Sequence, residues 1–346
     1  KQNKMKVVVY SIKNYEKEFI AKANQKKHDI TLIANTLNED TANFAQGKDA
    51  VIVFTNDDVS ANVVAKLQSY GIKYIATRST GTDHIDRVAA TAAGMKIANV
   101  PNYSPQSIAE QALTLIMALN RKVNLAYNQT KNFDFQLNNL QGFCLKDKIV
   151  GLIGFGNIAK SLAQILKGFG CQILVHDPYL NQFPNYVTSV SLETLYSHSK
   201  IISLHTPLTA ETRYLINQKA INQMQNGVML INTGRGALVN TNDIIEALQN
   251  GKIGYYGADV YEKEHNLFFE DHQSDEHKDP LLQELMSLPN VIITPHQAFF
   301  TQEALQEIAN KTIQNIDNWQ KGKCVGKACA CANSCQKELV AVINNH

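Results

Sequence analysis

The fold of this chain is decided by one stretch, Val150-Gly151-Leu152-Ile153-Gly154-Phe155-Gly156-Asn157-Ile158-Ala159. A strand-like apolar run leads into two closely spaced glycines, and a helical stretch follows them. Gly154 permits a tight turn, and Gly156 lets the backbone approach a pyrophosphate, which the N-terminus of the helix attracts. Asp177 follows 21 residues after Gly156 and can accept hydrogen bonds from both ribose hydroxyls of NAD. A simple glycine turn would not explain that carboxylate, so the stretch predicts a dinucleotide-binding βαβ unit that prefers NAD to NADP.

Strand-like runs alternate with helical stretches through most of the 346 residues, a length that suits two domains. An N-terminal block has short β-branched runs at 6–10, 30–34, 50–54, 73–77 and 96–100, with helical spacing at 59–70 and 85–93. A second series of runs lies at 149–153, 171–176, 201–204, 228–232, 255–260 and 291–294. Six such strands predict a doubly wound nucleotide-binding sheet.

Two helices connect these blocks in the predicted architecture. Ser104-Pro105 forms a good helix start, and the apolar stripe after it predicts a helix buried against another domain or subunit. The segment from Gln302 to Trp319 has no strand of its own and is expected to cross back onto the N-terminal block. We therefore predict an α/β protein with a Rossmann dinucleotide-binding domain at 102–298. A smaller, flavodoxin-like substrate (catalytic) domain is expected to be discontinuous, at 1–101 and 299–346.

The composition argues against polymeric partners. The chain has 33 basic and 31 acidic residues, 44% hydrophobic residues and 18% charged residues. This balance gives no field that would favour nucleic acid or an anionic membrane surface. No apolar stretch approaches the roughly 18 residues that span a bilayer, and the N-terminus shows no signal peptide. The sequence thus predicts a cytoplasmic protein with a small-molecule substrate.

Four of the six cysteines form a cluster near the C-terminus, namely Cys324, Cys329, Cys331 and Cys335. Their C-x4-C-x-C-x3-C spacing is not one of the usual zinc patterns. We expect a mobile, reduced tail from about residue 322, with a metal or cluster site and a disulfide as the alternatives. Cys144 and Cys171 are expected to be small side chains in or near the core. No metal site is predicted.

Three further residues follow strand-like runs and indicate chemistry. Arg235 follows 228–232, Glu264 lies five residues after Asp259, and His296 follows 291–294. At the carboxyl end of a parallel strand an arginine can hold a carboxylate with two parallel hydrogen bonds. Each residue also has an ordinary interpretation: a surface ion pair, a solvated acid or a structural histidine. Together with a redox cofactor, they indicate hydride transfer on a 2-oxo or 2-hydroxy acid.

Several segments resemble the D-specific 2-hydroxyacid dehydrogenases over the range from about Lys6 to Trp319. They are His205-Thr206-Pro207-Leu208-Thr209, the run from Gly257 to Glu264, and the run from Thr294 to Phe300. Within that family, Val100 to Pro105, Leu267 to Asp271 and Phe299 are most similar to the fermentative members that interconvert pyruvate and D-lactate.

The resemblance implies a role for each matching residue. His296 would be the acid–base residue, Glu264 its carboxylate partner and Arg235 the substrate anchor. Backbone N–H groups of Thr80 and Gly81 would also bind the substrate, although Thr80 departs from the apolar residue that is common there. Tyr103 and Phe299 would line the substrate pocket. The implied NAD contacts are Gly154, Gly156, Asn157, Ile158, Asp177, His205, Thr206, Pro207, Thr233 and Asp259.

The expected reaction is the reversible reduction of pyruvate to D-lactate by NADH, in a cleft between the two domains. A homodimer or a dimer-based oligomer is expected. Two alternatives stay open: a larger 2-oxo acid as substrate, and a non-enzymatic NAD-sensing corepressor that binds peptides.

Overall fold

The computed structural model describes residues 4–265 and 267–332 and divides into two compact units. The N-terminal unit comprises the described residues up to Ser104 and those from Thr301 onward, and the central unit is Pro105–Phe300. The first boundary lies three residues later than predicted, and the second lies two residues later. Tyr103 therefore belongs to the N-terminal unit and Phe299 to the central unit.

The N-terminal unit is built on five parallel strands, as predicted: β1 (Lys6–Val9), β2 (Asp29–Leu32), β3 (Ala50–Val53), β4 (Tyr74–Thr77) and β5 (Lys96–Ala98). Their order, β2-β1-β3-β4-β5, is that of flavodoxin-like sheets. The helices are α1 (Lys17–Asn24), α2 (Ala61–Ser69), α3 (Arg87–Ala92) and the last long helix of the chain, α11 (Gln302–Gln320). All four residues of β3 are fully buried, which explains its uninterrupted apolar sequence.

Helix α11 returns to the N-terminal unit, which confirms the predicted crossing. The indole of Trp319 stacks on the ring of Tyr74 in β4, with ring centroids 4.8 Å apart. The Asn315 amide donates to the carbonyl oxygen of Asn99 just after β5, at 3.1 Å. Both contacts attach this late segment to the sheet formed by the first hundred residues.

The segment after α11 is ordered against the sheet, so the prediction of a mobile tail is wrong for residues 328–332. The Asn99 N–H donates to the Ala328 carbonyl at 2.9 Å, and the Ala330 N–H donates to the Ile97 carbonyl at 3.0 Å. Cys329 thereby forms an antiparallel bridge with Ala98. The pairing uses backbone groups, which cysteine spacing does not reveal. Cys335 lies outside the described residues.

The central unit contains seven parallel strands: β6 (Ile149–Ile153), β7 (Gln172–His176), β8 (Thr188–Ser189), β9 (Ile201–Leu204), β10 (Val228–Asn232), β11 (Ile253–Ala258) and β12 (Val291–Ile293). Six were predicted, and β8 is additional. Its helices are α4 (Pro105–Asn120), α5 (Val123–Lys131), α6 (Asn157–Gly168), α7 (Leu192–His198), α8 (Gln218–Gln223), α9 (Thr241–Gln249) and α10 (Pro280–Ser287). In the order β12-β11-β10-β9-β6-β7-β8, the direction in which successive strands are added reverses between β6 and β9, which is the topological switch point of the sheet. In such sheets the ligand binds beyond the carboxyl ends of the strands at this point.

The apolar helix α4 packs within the central unit, and its predicted contact with another domain or subunit stays a prediction. It contacts α6 and the strands β10, β11 and β12. A β-carbon on Gly257 would lie only 2.9 Å from Leu119 Cδ1, so this glycine allows the close approach of α4 to the sheet. Cys144 is exposed, contrary to the core position expected for it, and Cys171 is partly buried. None of the described helices is long and apolar enough to cross a membrane.

Candidate active site

The glycine turn after β6 has the geometry that the sequence predicted. Gly154 has a φ of +85°, and a β-carbon there would lie 2.6 Å from the carbonyl oxygen of His205. Only glycine tolerates both the left-handed backbone and this approach. Gly156 precedes the first residue of α6, Asn157, and a β-carbon on Gly156 would meet nothing within 4 Å. The positive end of the α6 dipole therefore adjoins open space at the turn, an arrangement that suits a phosphate group.

Asp177 lies directly after β7 and is fixed by the same turn. Its Oδ2 accepts a hydrogen bond from the Phe155 N–H at 2.8 Å, and its Oδ1 accepts one from the Tyr179 N–H at 3.0 Å. Each carboxylate oxygen can accept further bonds, since it has more than one lone-pair position. The side chain is only partly buried. Asp177 can therefore accept hydrogen bonds from ribose hydroxyls while remaining rigid.

Two polar residues, His205 and Thr233, lie directly after the neighbouring strands β9 and β10. The Nε2 atom of His205 lies 2.9 Å from the Ser203 hydroxyl, and removal of water lowers the pKa of His205 to about 4, so the imidazole is neutral at pH 7. The Thr233 hydroxyl is buried and has no hydrogen-bond partner among the described residues. A buried hydroxyl without a partner is costly, and a bound ligand could satisfy it. These residues fit a dinucleotide. Ile158, Thr206 and Pro207 adjoin them in the sequence, and their contact with NAD stays a prediction.

Arg235 lies on the loop after β10 and is shaped by a residue that the sequence did not single out. The fully buried Asn232 donates from Nδ2 to the Arg235 carbonyl at 2.9 Å and accepts at Oδ1 from the Gly234 N–H at 3.1 Å. The guanidinium donates to the Gly234 carbonyl at 2.9 Å and is partly exposed. A β-carbon on Gly236 would lie 2.0 Å from the carbonyl carbon of Tyr261, so this loop packs directly on the segment that leads to Glu264.

His296 and Glu264 form the predicted pair. The Nδ1 atom of His296 lies 2.9 Å from Oε1 of Glu264, and Glu264 Oε2 accepts from the Tyr261 N–H at 2.9 Å. The imidazole Nε2 makes no hydrogen bond to the residues that the structure describes. His296 has a φ of +55°, which is uncommon for a residue with a side chain. One ring nitrogen is thus oriented by a carboxylate, and the other can serve a ligand.

Asp259 has contacts that the sequence analysis did not foresee. Its fully buried carboxylate accepts from the Gln297 N–H at 2.9 Å, from the Ala298 N–H at 2.7 Å and from the Thr294 hydroxyl. Burial raises the pKa of this carboxyl although these hydrogen bonds act in the opposite direction. Asp259 therefore holds the loop that carries His296, and its contact with a cofactor stays a prediction.

One phenylalanine ring, that of Phe269, stands beside the imidazole and also contacts the ring of Phe299. The Phe269 ring centroid lies 5.7 Å from that of His296 and 6.3 Å from that of Phe299. Phe269 has a φ of +69° and comes from the acidic loop after β11. The sequence indicated Phe299 and the family-like loop, but the contact between Phe269 and the imidazole is evident only in the structure.

The central unit thus brings Arg235, Glu264 and His296 into one set of packed loops at the carboxyl ends of β10, β11 and β12. The other predicted substrate residues, Thr80, Gly81 and Tyr103, belong to the N-terminal unit. There, the Thr80 hydroxyl donates to the Val100 carbonyl at 2.8 Å. Their contact with substrate stays a prediction. Among the described residues, no group of three or more His, Cys, Asp or Glu is arranged to hold a metal ion.

Comparison with known proteins identifies the family. Residues 113–298 match the model of the D-isomer specific 2-hydroxyacid dehydrogenase, NAD binding domain. The chain is 43% identical to a D-lactate dehydrogenase of Escherichia coli, over 97% of this chain and 100% of that protein. The apo-structure of D-lactate dehydrogenase from Escherichia coli superposes with a TM-score of 0.84 at 40% identity, covering 94% of this chain and 100% of that one. The pyruvate reductase of Chlamydomonas reinhardtii superposes with a TM-score of 0.88 at 38% identity, covering 94% and 99%. The chain is therefore a member of the D-isomer specific 2-hydroxyacid dehydrogenases, and its central unit carries their NAD-binding domain.

Proposed function

We propose that this chain is an NAD-dependent D-lactate dehydrogenase, which reduces pyruvate to D-lactate reversibly. The observation that carries the proposal is the His296–Glu264 pair, with 2.9 Å between Nδ1 and Oε1. An imidazole held in this way suits proton transfer to and from a carbonyl oxygen. The names of the similar proteins from Escherichia coli and Chlamydomonas reinhardtii support the same substrate.

The imidazole supplies the proton. Bound NADH provides the hydride that adds to C2 of pyruvate. Because Nδ1–H donates to Glu264, Nε2 is the nitrogen that donates to the carbonyl oxygen. The C=O bond becomes C–OH, the protonated His296 becomes neutral, and a proton from solvent restores it. General acid catalysis of this kind contributes about 10²–10⁴-fold. In D-lactate oxidation, neutral His296 accepts the hydroxyl proton.

Arg235 binds the substrate carboxylate. Its guanidinium can form two parallel hydrogen bonds with a carboxylate, which fixes both the position and the orientation of the acid. The proposal includes the backbone N–H groups of Thr80 and Gly81 as further carboxylate donors. Phe299 and Tyr103 are proposed to leave space for a methyl group and little more, which favours pyruvate over branched 2-oxo acids.

Steady-state kinetics test the proposal. We expect rapid NADH oxidation with pyruvate, a lower kcat/KM with 2-oxoisocaproate, and D-lactate as the product in chiral analysis. His296→Ala should lose most activity in both directions while it still binds NADH. L-lactate as product, or a higher kcat/KM with the branched acid, contradicts the assignment. An absence of turnover with every 2-oxo acid, combined with tight NADH binding, supports the corepressor alternative.

The proposal also includes a homodimer in the cytoplasm. Support for a dimer comes from apolar side chains on α5 and the segment after it that lie at the surface of the central unit: Val123, Leu125, Tyr127, Phe133, Phe135 and Leu137. Phe133 is 85% exposed. Large apolar side chains exposed in such number along one segment are typical of protein–protein interfaces. Sedimentation equilibrium should give twice the chain mass, and Phe133→Asp with Leu137→Asp should reduce it to that of a monomer.

A further inference from the structure

Asn232 occupies a position from which it can control the substrate anchor. It is the last residue of β10, and its side chain is fully buried. Its amide bridges two backbone groups of the next turn, since Nδ2 donates to the Arg235 carbonyl and Oδ1 accepts from the Gly234 N–H, at 2.9 and 3.1 Å. One bond ends on the peptide unit that follows the Cα of Arg235, and the other ends on the peptide unit between Thr233 and Gly234. The direction in which the guanidinium leaves the backbone is therefore fixed by this amide.

The same residue connects the anchor to the loop that carries the proton donor. The Asp259 N–H donates to the Asn232 carbonyl at 2.9 Å. The Asp259 carboxylate in turn accepts from the Gln297 and Ala298 N–H groups, next to His296. A continuous series of buried hydrogen bonds thus runs from the Arg235 loop to the His296 loop. Buried networks of this kind are rigid when every group is satisfied.

We propose that Asn232 is a positioning residue for substrate binding, which acts through Arg235 rather than by touching the substrate. This inference rests on the proposed function, because it requires Arg235 to hold the carboxylate of the 2-oxo acid. An amide is suited to the task, since it donates and accepts at once and adds no charge beneath the guanidinium. Aspartate at this position could form only one of the two bonds, and leucine could form neither.

The test compares Asn232→Ala with a matched control, Asn217→Ala. Asn217 makes the same pair of bonds at the start of α8, since Nδ2 donates to the Tyr214 carbonyl at 3.0 Å and Oδ1 accepts from the Ala220 N–H at 3.2 Å. Three quantities are measured for each variant: KM for pyruvate, Ki for oxamate (an unreactive carboxylate analogue of pyruvate) and Kd for NADH. Thermal unfolding reports the stability of each variant.

Asn232→Ala should raise both the pyruvate KM and the oxamate Ki at least about tenfold, with the NADH Kd within about twofold of wild type. Asn217→Ala should lower only the melting temperature. If Asn232→Ala does not fold, Asn232→Ser gives the same readout, because its short hydroxyl cannot bridge both backbone groups. A KM and Ki within twofold of wild type, or a parallel loss of NADH binding, overturns the inference. Failure of the wild-type protein to reduce pyruvate would instead overturn the proposed function, and that result is visible before any variant is made.

Discussion

Replacing Gly236 with alanine tests whether catalysis requires the close packing of the Arg235 loop on the segment before Glu264. The new β-carbon would lie 2.0 Å from the Tyr261 carbonyl carbon and 2.2 Å from the Glu262 nitrogen, whereas ordinary contact begins near 3.4 Å. The neighbours are backbone atoms, so one of the two segments has to move by about 1 Å or more. The Tyr261 N–H holds the Glu264 carboxylate, so this movement reaches His296.

A misplacement of about 1 Å in an active site can cost roughly 10²-fold in rate. We therefore expect kcat/KM for pyruvate to fall about 100-fold in Gly236→Ala, with a loss of about 1–3 kcal/mol in stability from the overpacking. NADH binding, measured by fluorescence, should change little because the Gly154 turn is untouched. Gly168→Ala is the matched control, since a β-carbon there meets nothing within 4 Å. If Gly236→Ala keeps kcat/KM within threefold of wild type, the two segments are not coupled as the structure indicates.

Four further changes give distinct outcomes. Glu264→Gln removes the carboxylate that lies 2.9 Å from His296 Nδ1 and orients the ring, so kcat/KM for pyruvate should fall about tenfold. A kcat/KM within threefold of wild type contradicts the pairing. The pKa of His205 is about 4 in the folded protein and 6.5 in the unfolded chain, so between pH 7 and pH 5 only the unfolded chain binds a proton at this residue. The free energy of unfolding, measured with guanidinium, should therefore fall by roughly 2 kcal/mol from pH 7 to pH 5. His205→Asn should flatten that slope. Asp177→Ala should abolish a preference for NADH over NADPH of about tenfold in kcat/KM, and an unchanged ratio would remove Asp177 from this role. Truncation after residue 322 removes two backbone hydrogen bonds to the sheet. It should lower the melting temperature of the N-terminal unit by roughly 5 °C, which corresponds to a loss of about 2 kcal/mol in the free energy of unfolding. An unaltered melting curve would show that the segment does not stabilise the sheet.

The elements that the sequence predicted well are those with a strong physical signal. Strands such as Ala50–Val53 and Val228–Asn232 are buried on both faces, so all of their residues except Asn232 are apolar, and the run is visible without a structure. The glycine turn at Gly154 was predictable for a similar reason, since a left-handed φ and a close approach both require glycine. By contrast, the strand Thr188–Ser189 has two exposed polar residues and leaves no hydrophobic pattern.

The parts of the site that were missed depend on buried polar groups. Asn232 and Asp259 are fully buried, and apart from the Thr294 hydroxyl the partners described above are backbone N–H and C=O groups, which nearly every residue possesses. Nothing in the spacing of the sequence shows which backbone groups will need a partner after the loops have folded. The sequence did not single out Asn232. It indicated that Asp259 contacts the cofactor, which stays a prediction, but it did not show the bonds of Asp259 to the loop of His296. Such roles follow from tertiary packing and become visible only with coordinates.

The segment that pairs with β5 has a consequence for solubility. Strand β5 is at the end of the sheet order, where an uncovered strand would offer its N–H and C=O groups to another chain. The Ala328 carbonyl and the Ala330 N–H occupy these groups at Asn99 and Ile97. On a ribosome, residues near 330 emerge after more than three hundred others, so the β5 edge stays open through most of synthesis. At this edge a nascent or truncated chain is therefore open to intermolecular β-sheet pairing, and residues 328–330 close it once they have been synthesised.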